Sequence, residues 1–336
     1  MHKLLLIILI MTTTLTGAGL SSATGQEIRV AHFLNFTHAQ ALIGRTNGAF
    51  EKSTKSKISW KLFNAGPTAM EALIAGEIDI AYVGPNPAIN AYLRSKGKVL
   101  KVIAGAANGG ASLVVRRGTG IKSVRDFKGK RIASPEIGNT QDVALRTWLN
   151  SQGLRVGRDV KVSSLKNPDI LQLFIQKELD SAWVPEPWAS RLILEGGGEV
   201  FLDESSIWPR GEFATALLVV RTDFLQKKPQ LVKDFLSAHI DTTIQINRNK
   251  SAAKRIINKQ LALLMGAPLS TAVLDRAFAK IDFNFAPASS LSASAKAAEA
   301  LGYLPRSGVR IADVDNITDL TILNQILTSR KLPAVP

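Results

Sequence analysis

Short apolar runs alternate with stretches of helical periodicity over the first 220 residues of the chain. Nine runs rich in Val, Ile, Leu and Ala have the length of strands and end in turn residues: 28–33, 58–63, 78–83, 99–104, 113–116, 131–134, 160–165, 182–184 and 216–220. Such alternation predicts an α/β fold of βα units on open, largely parallel sheets with flanking helices. In sheets of this kind a ligand lies in the crevice beyond the carboxyl ends of the strands.

After residue 220 the pattern becomes helical. Five helix candidates follow one another at 230–247, 252–264, 270–279, 292–300 and 319–328. This tail is too long to be a cap, so we expect it to pack back on the first part of the chain. The sequence therefore predicts two lobes, with residues 26–111 and 215–336 in lobe I and residues 112–214 in lobe II.

The amino-terminal segment has the pattern of a secretory signal peptide. Lys3 supplies a positive start, residues 4–15 an apolar run, and Ser21, Ala23 and Gly25 a small-residue exit. A membrane anchor would need roughly 17 to 25 apolar residues, and the threonines at 12–14 already dilute this run. We therefore predict a signal peptide at residues 1–25, cleaved after Ala23 or Gly25, and export to the periplasm.

Composition excludes several classes of site. The chain has no cysteine, which rules out disulfides, thiolate metal sites, a cysteine nucleophile and a lipid-modified amino-terminal cysteine. Its net charge of +15 becomes +14 when a signal segment with one lysine and no acidic residue is removed. Because Lys and Arg are scattered from Arg29 to Lys331 rather than gathered in a stripe, the charge favours steering of an anionic solute over nucleic-acid binding.

Catalytic and metal signatures are weak. After the signal segment the chain keeps His32, His38 and His239, without a His-Glu-x-x-His or Gly-x-Ser-x-Gly motif. His32 and His38 follow the first strand closely, but a metal site needs more ligands than these two provide. We expect no catalytic residue, no metal and no cofactor, and we interpret the histidines as packing or hydrogen-bonding residues.

Several strand-to-helix turns share one design, in which a small or amide residue precedes a helix that often opens with proline. They lie at 66–68, 86–87 and 167–168, and a fourth at 138–141 lacks the proline. Each presents unpaired backbone N–H groups and the positive end of a helix dipole, and convergent helix starts can bind an anion without a fixed cation. Lys and Arg are nearly absent from these turns, which indicates recognition by neutral hydrogen bonds.

Five motifs of the sequence belong together: Asn64-Ala65-Gly66-Pro67, Gly76-Glu77-Ile78-Asp79-Ile80, Tyr82-Val83-Gly84-Pro85-Asn86-Pro87-Ala88, Gly138-Asn139-Thr140-Gln141 and Trp183-Val184-Pro185-Glu186-Pro187-Trp188. In combination they resemble motifs of periplasmic substrate-binding proteins of the nitrate, aliphatic sulfonate and taurine ABC importer family. The resemblance implies a two-lobed, type II-like periplasmic-binding-protein fold and delivery of a small anion to an ABC permease and its ATPase. It places the ligand-binding residues at Asn35, Thr37, His38, Gly66, Pro67, Thr68, Gly84, Asn86, Asn108, Gly109, Gly138, Asn139, Thr140, Gln141, Glu186 and Trp188.

The resemblance leaves the ligand open. An aliphatic sulfonate or a taurine-like compound is favoured, and nitrate, bicarbonate and a vitamin precursor are alternatives, as is, less plausibly, an enzyme on the same scaffold. Glu186 also has two possible roles, since it could accept backbone hydrogen bonds that shape its turn or pair with an amine on the ligand. In the second case Trp188 would cover the methylene stem of the ligand.

Overall fold

A computed structural model describes residues 27–305 and 311–336, so the predicted signal peptide lies outside the described residues. The strands within this part of the chain are β1 (Glu27–His32), β2 (Lys57–Leu62), β3 (Ile80–Val83), β4 (Leu100–Gly109), β5 (Ala111–Arg116), β6 (Arg131–Pro135), β7 (Lys161–Leu165), β8 (Ser181–Pro185), β9 (Gly198–Asp203), β10 (Ala214–Arg221) and β11 (Ile281–Phe283). All nine strands predicted from the apolar runs are present. The short or partly exposed strands β9 and β11 were not predicted.

The described strands form two sheets with flanking helices, which confirms the α/β class. The first sheet has the order β11-β4-β10-β3-β1-β2 and the second the order β7-β6-β8-β5-β9. The βα units pair in parallel, β1 with β2 and β3, and β6 with β7 and β8.

The expectation of largely parallel sheets is wrong for the remaining strands. Strand β10 runs antiparallel to β3 and β4, β11 to β4, and β5 to β8 and β9. The physical reason is the path of the chain, because β5 and β10 enter their sheets directly from the other sheet, without the helical crossover that makes neighbouring strands parallel.

The α-helices of the described residues follow the predicted pattern. They are α1 (Ala39–Asn47), α2 (Ala49–Thr54), α3 (Gly66–Ile74), α4 (Pro85–Arg94), α5 (Thr140–Ser151), α6 (Asn167–Ile175), α7 (Trp188–Leu194), α8 (Thr222–Lys227), α9 (Pro229–Arg248), α10 (Lys250–Met265), α11 (Thr271–Phe278), α12 (Leu291–Ala300) and α13 (Thr321–Ser329). None of these described helices has both the length and the apolar character that a bilayer crossing requires.

The helical tail packs on the first sheet. Apolar side chains of α9, α10, α11 and α13 share one core cluster with strands β1, β3 and β10, and the rings of Phe50 and Phe235 lie 4.6 Å apart between their centroids. Helix α12 joins a second cluster on the other face, with α3 and α4. Burying both faces explains why β3 and β10 are almost continuously apolar.

The chain passes between the sheets twice. It leaves the first sheet between β4 and β5, at Gly110, whose φ of 74° favours glycine. It returns between β9 and β10 through two 3₁₀ turns, Glu204–Ile207 and Pro209–Gly211. These passages lie near residues 111 and 214, and the division of the chain into two moving lobes at those positions stays a prediction.

Candidate functional site

A small cavity lies where the turns of the two sheets face each other. We call it the central cavity; its volume is about 10 Å³, close to the space that one water molecule requires. Its walls come from the segments before α1, α3 and α4, the starts of α5 and α6, and strands β8 and β10: Phe33, Asn35, Thr37, His38, Asn64, Ala65, Gly84, Asn139, Thr140, Gln141, Asn167, Pro185 and Thr215. The helix starts predicted from the turn motifs are thus brought together from both sheets.

Among the residues that the structure describes, those lining the central cavity carry hydrogen-bonding groups and include no Lys, Arg, Asp or Glu. The N-cap residues of α3, α4, α5 and α6 are Ala65, Gly84, Asn139 and Lys166, and none of their side chains caps its helix. Part of the backbone N–H groups at these starts is not available, because positions 67, 85, 87 and 168 are prolines and the backbone N–H of Thr68 donates to the Glu136 carboxylate. The other N–H groups of these first turns are left to a ligand or to water. Asn86 and Asn167 lie inside their helices instead of capping them, because Pro85 and Pro168 fit the first turn.

Two side chains of the cavity wall have their acceptor atoms engaged by the protein. The indole of Trp188 donates to Oδ1 of Asn35 over 3.1 Å, a contact that joins the two sheets. The side chain of Asn139 donates to Oε1 of Gln141 over 3.1 Å. With these oxygens occupied, the NH₂ groups of Asn35 and Gln141 remain as neutral donors.

His38 supplies a third neutral donor. The backbone N–H of Phe33 donates to its Nδ1 over 3.3 Å, so the ring proton lies on Nε2. Burial holds the pKa of His38 well below its usual range. The ring is therefore an uncharged N–H donor on the cavity wall.

Thr140 lies where the starts of α4 and α5 come close together. A Cβ placed on Gly84 would stand 2.2 Å from Thr140 Oγ1, so only glycine allows the start of α4 to lie this close to the start of α5. The Oγ1 atom of Thr140 and the Oδ1 atom of Asn167 are buried without a hydrogen-bond partner among the described residues. Buried polar atoms without partners carry a free-energy penalty that a ligand can relieve.

Asp142 holds the turn before α5 in place. Its carboxylate, fully buried, accepts the backbone N–H of Gly138 over 3.0 Å and the hydroxyl of Ser134 over 2.8 Å. It also pairs with Arg146 at 2.8 Å and accepts the Tyr303 hydroxyl over 3.1 Å. Burial and the Asp142 charge raise the pKa of Tyr303 to about 12. The tail is thereby joined to the second sheet beside the cavity.

Glu186 lies behind the cavity wall. Its Oε2 accepts the backbone N–H of Ser190 over 3.0 Å, its backbone N–H donates to Gly110 O, and its carbonyl accepts the backbone N–H of Phe36 over 2.9 Å. Burial raises the pKa of Glu186 to about 7. These contacts correspond to the turn-shaping role, while Trp188 contacts Asn35 and Arg191 rather than the cavity.

The other predicted binding residues lie around the central cavity instead of on its wall. Pro67 and Gly138 line an outer groove between the sheets, and Gly66 packs against Pro87 at a distance that excludes any side chain. Thr68 donates its hydroxyl to Ala65 O over 3.2 Å. Asn108 and Gly109 line a separate pocket of about 650 Å³ at the passages between the sheets.

A larger apolar pocket adjoins the central cavity, and we call it the side pocket. Its volume is about 250 Å³, and its lining consists of Asn86, Thr140, Val143, Ala144, Thr147, Glu204, Ile207, Trp208, Pro209, Ala214, Ala293, Ser294 and Ala297. The side chain of Asn86 donates to Ser294 O over 3.0 Å. Of the side-pocket residues, Asn86 and Thr140 were predicted from the sequence as binding residues, and the others were not predicted.

Glu204 is a buried acid in the wall of the side pocket. Trp183 donates its indole N–H to Oε2 over 2.7 Å, and Trp208 donates to Oε1 over 3.3 Å. Burial raises the pKa of Glu204 to about 7. Both oxygens are thus occupied by the protein, and the residue has no exposed surface.

The remaining histidines have structural contacts. Tyr82 donates to His239 Nδ1 over 3.0 Å, and His239 Nε2 donates to Gly105 O over 2.9 Å. His32 donates to Phe33 O and accepts from Arg45. Among the residues that the structure describes, no group of three or more His, Cys, Asp or Glu side chains is arranged to hold a metal ion.

Thr215 is a cavity residue that sequence reasoning did not identify. Its hydroxyl donates to the carbonyl of Gly109 over 2.6 Å, which ties β10 to the end of β4 beside the first passage between the sheets. No local signal marks it, because Thr215 lies on a strand that reaches the cavity only after the chain has returned from the second sheet.

Comparison with known proteins gives consistent similarities. The chain is 27% identical to the taurine-binding periplasmic protein of Escherichia coli (strain K12) over 230 residues, which are 68% of this chain and 70% of that protein. The alkanesulfonate-binding protein SsuA from Xanthomonas axonopodis pv. citri bound to MOPS superposes with a TM-score of 0.71 at 22% identity, over 86% of this chain and 97% of that one. The periplasmic nitrate-binding protein NrtA from Synechocystis PCC 6803 superposes with a TM-score of 0.77 at 16% identity, over 92% and 90% of the two chains.

These solved structures share the overall fold of the chain, two sheets with flanking helices. A model of the NMT1-like family matches residues 22–262, well over half of the sequence. The resemblance inferred from the motifs is thereby confirmed, and the chain belongs to the NMT1-like family.

Proposed function

We propose that this protein is an extracytoplasmic solute receptor that binds a small anion and delivers it to an ABC importer. The observation that carries the proposal is the central cavity, where helix starts from two sheets converge with neutral donors and without a charged side chain. A fully ionised anion needs its acceptors satisfied, and backbone N–H groups at helix starts satisfy them without proton exchange.

The ligand class follows from the same groups. His38 N–H, the NH₂ groups of Asn35 and Gln141, and the unpartnered hydroxyl of Thr140 suit a head with several equivalent oxygens, as in a sulfonate. Relatives named for taurine and aliphatic sulfonates support an aliphatic sulfonate or a taurine-like compound.

A smaller anion is the second candidate. The central cavity alone, at about 10 Å³, has the space of about one water molecule, so it would have to expand less for nitrate or bicarbonate than for an organic sulfonate. The similarity to a nitrate-binding protein supports this alternative. The two candidates differ in whether anything beyond the head group contributes to binding.

Binding is proposed to close two lobes, residues 26–111 with 215–336 and residues 112–214, about hinges at the passages between the sheets. In the described structure Trp188–Asn35 and Tyr303–Asp142 hydrogen bonds already join the two sheets. Opening would break such contacts, and a ligand bound between the sheets would restore them. The closed form would then be presented to the permease.

A thermal-shift and calorimetry screen of the secreted protein tests the proposal. Taurine, short alkyl sulfonates, nitrate, bicarbonate and small carboxylates are compared. A ligand at 100 times its dissociation constant stabilises the fold by about 2.7 kcal/mol, which raises the melting temperature by several degrees. Small-angle scattering should then show a smaller radius of gyration, and a turnover assay with the ligand should show no product. Failure of every anion to stabilise the protein would overturn the proposal.

A further inference from the structure

The side pocket lies beside the central cavity and shares Thr140 with it. We propose that it receives the apolar body of an organic anion whose head lies in the central cavity, so that the ligand carries a hydrocarbon or ring substituent of about the size of benzene. This inference rests on the proposed receptor function and names the class of ligand within it.

The central cavity and the side pocket are adjacent spaces with a common wall, which is the first argument. Thr140 lines both of them, with its buried hydroxyl unpartnered. On two other segments, neighbouring residues line different spaces. Gly84 and Thr215 line the central cavity, whereas Asn86 and Ala214 line the side pocket. Thr140 is therefore the common wall of the two spaces, where a head in the central cavity and an apolar body in the side pocket would meet.

Size is the second argument. An apolar cavity of about 150 Å³ is enough to hold benzene and stays dry when it is empty. The side pocket measures about 250 Å³, so a ring or a short alkyl chain fits. Nitrate or bicarbonate would leave this volume unused.

Chemistry is the third argument. The larger polar side chains of the lining are engaged by the protein, because Asn86 donates to Ser294 O and both oxygens of Glu204 accept indole N–H groups. The hydroxyls of Thr140 and Thr147 are buried without a partner among the described residues. The ring of Trp208 is stacked on Phe213, with centroids 5.8 Å apart and planes inclined by 10°, so one wall is held in place. The rest of the surface is mainly alkyl, which favours an apolar substituent over a charged one.

The test reduces the volume of the side pocket by enlarging a lining residue on α12. Ala297→Leu places a larger side chain in the lining, whereas Ala300→Leu makes the same change at an exposed position on the same helix, and leucine is well tolerated in helices. Methanesulfonate and benzenesulfonate are titrated by calorimetry into the parent and both variants. We expect the parent to bind benzenesulfonate at least tenfold more tightly than methanesulfonate. Ala297→Leu should weaken benzenesulfonate binding at least tenfold and methanesulfonate binding less than twofold, and Ala300→Leu should change neither.

Other outcomes distinguish a failure of the side-pocket inference from a failure of the receptor proposal. Equal binding of both sulfonates by the parent, or equal weakening of both by Ala297→Leu, overturns the inference and leaves the receptor function standing. Binding of nitrate alone also overturns it. If the parent binds none of the anions, the receptor proposal itself fails. Ala144→Leu, which fills the pocket from α5, repeats the measurement should Ala297→Leu fold poorly.

Discussion

The central cavity and the side pocket adjoin each other and differ in almost every physical property. The first is small, polar and built from strand-to-helix turns, with its donors on His38, Asn35 and Gln141. The second is about 25 times larger by volume, about 250 against about 10 Å³, and is built from the flanks of α5 and α12.

The difference separates two tasks. Backbone N–H groups at helix starts belong to the βα architecture, so any chain with these turns can bind an oxyanion there. The flanks of helices can change residue by residue without altering that architecture. We infer that the central cavity sets affinity for the head group and the side pocket sets selectivity among anions.

The largest expected effect concerns the wall of the side pocket. Glu204 has its pKa raised by burial to about 7, from 4.5 in the unfolded chain. Below pH 4.5 both states are protonated. Between pH 4.5 and 7 the carboxyl group ionises in the unfolded chain but stays protonated in the folded one, so the unfolded state is favoured increasingly and stability is lost until the pH exceeds the folded pKa. Glu204→Gln should therefore become more stable relative to the parent by on the order of 3 kcal/mol between pH 4.5 and 7.5.

Urea unfolding of both proteins across this pH range measures the effect. Glu199→Gln, at an exposed glutamate on the neighbouring strand β9, controls for the loss of one negative charge. A constant difference in the free energy of unfolding between Glu204→Gln and the parent would show that the acid is not isolated from water, and the apolar description of the pocket would be wrong.

The second prediction breaks the contact on which the central cavity depends. Gly84 has φ −70° and ψ 159°, values that any residue adopts, so a substitution acts by volume alone. Its added Cβ would meet Thr140 Oγ1 at 2.2 Å and Cβ at 3.2 Å. Gly84→Val should weaken binding of every anion at least a hundredfold, about 2.7 kcal/mol.

Gly84→Ala supplies the graded comparison, with a smaller loss of affinity than Gly84→Val. The melting temperature of each unliganded variant shows whether the fold is intact. Binding by Gly84→Val as tight as that of the parent would mean that the approach of α4 to α5 is not needed for ligand binding.

Much of the central cavity was predictable from sequence because its signals are local. Proline at the first helical turn and small or amide residues before it mark helix starts, and the alternation with strands implies that these starts share one edge. Thr140 and Gln141 of the cavity wall were predicted from such a turn, and His38 from the family resemblance. Asn86 lines the side pocket instead of the central cavity, since Pro85 opens α4 and the Asn86 amide donates to Ser294 O.

The side pocket could not be predicted for a physical reason. It joins α5, α12 and the 3₁₀ turns near Trp208, which lie up to about 150 residues apart, and its helical lining consists of alanine, valine, threonine and serine on ordinary amphipathic helices. Nothing in such residues distinguishes a pocket from a core. The placement of β10 between β3 and β4 is equally non-local, since helical or strand periodicity carries no information on strand order.

The third prediction uses the residue that both spaces share. Thr140→Val keeps the shape of the side chain and removes the hydroxyl that has no protein partner. We expect about tenfold weaker binding of methanesulfonate and of longer sulfonates alike, about 1.4 kcal/mol, the value of one hydrogen bond to a charged group. Thr147→Val, on the same helix but on the side pocket alone, should leave methanesulfonate binding unchanged. Unaltered binding by Thr140→Val would remove this hydroxyl from the head-group site.

The smallest effect is expected at Glu186, which lies outside both linings. Its Oε2 accepts the Ser190 backbone N–H at 3.0 Å, and Glu186→Gln keeps an oxygen for that bond. If the carboxylate only shapes the turn, calorimetry with taurine and with the amine-free ethanesulfonate should show the same change for both, below about threefold, because a neutral amide replaces an acid of similar shape. If it pairs with a ligand amine, taurine binding alone should fall tenfold or more, since a charge-assisted hydrogen bond is lost. Selective loss of taurine would place a cationic group of the ligand behind the turn, and the apolar side pocket would then no longer be the subsite that distinguishes one sulfonate from another.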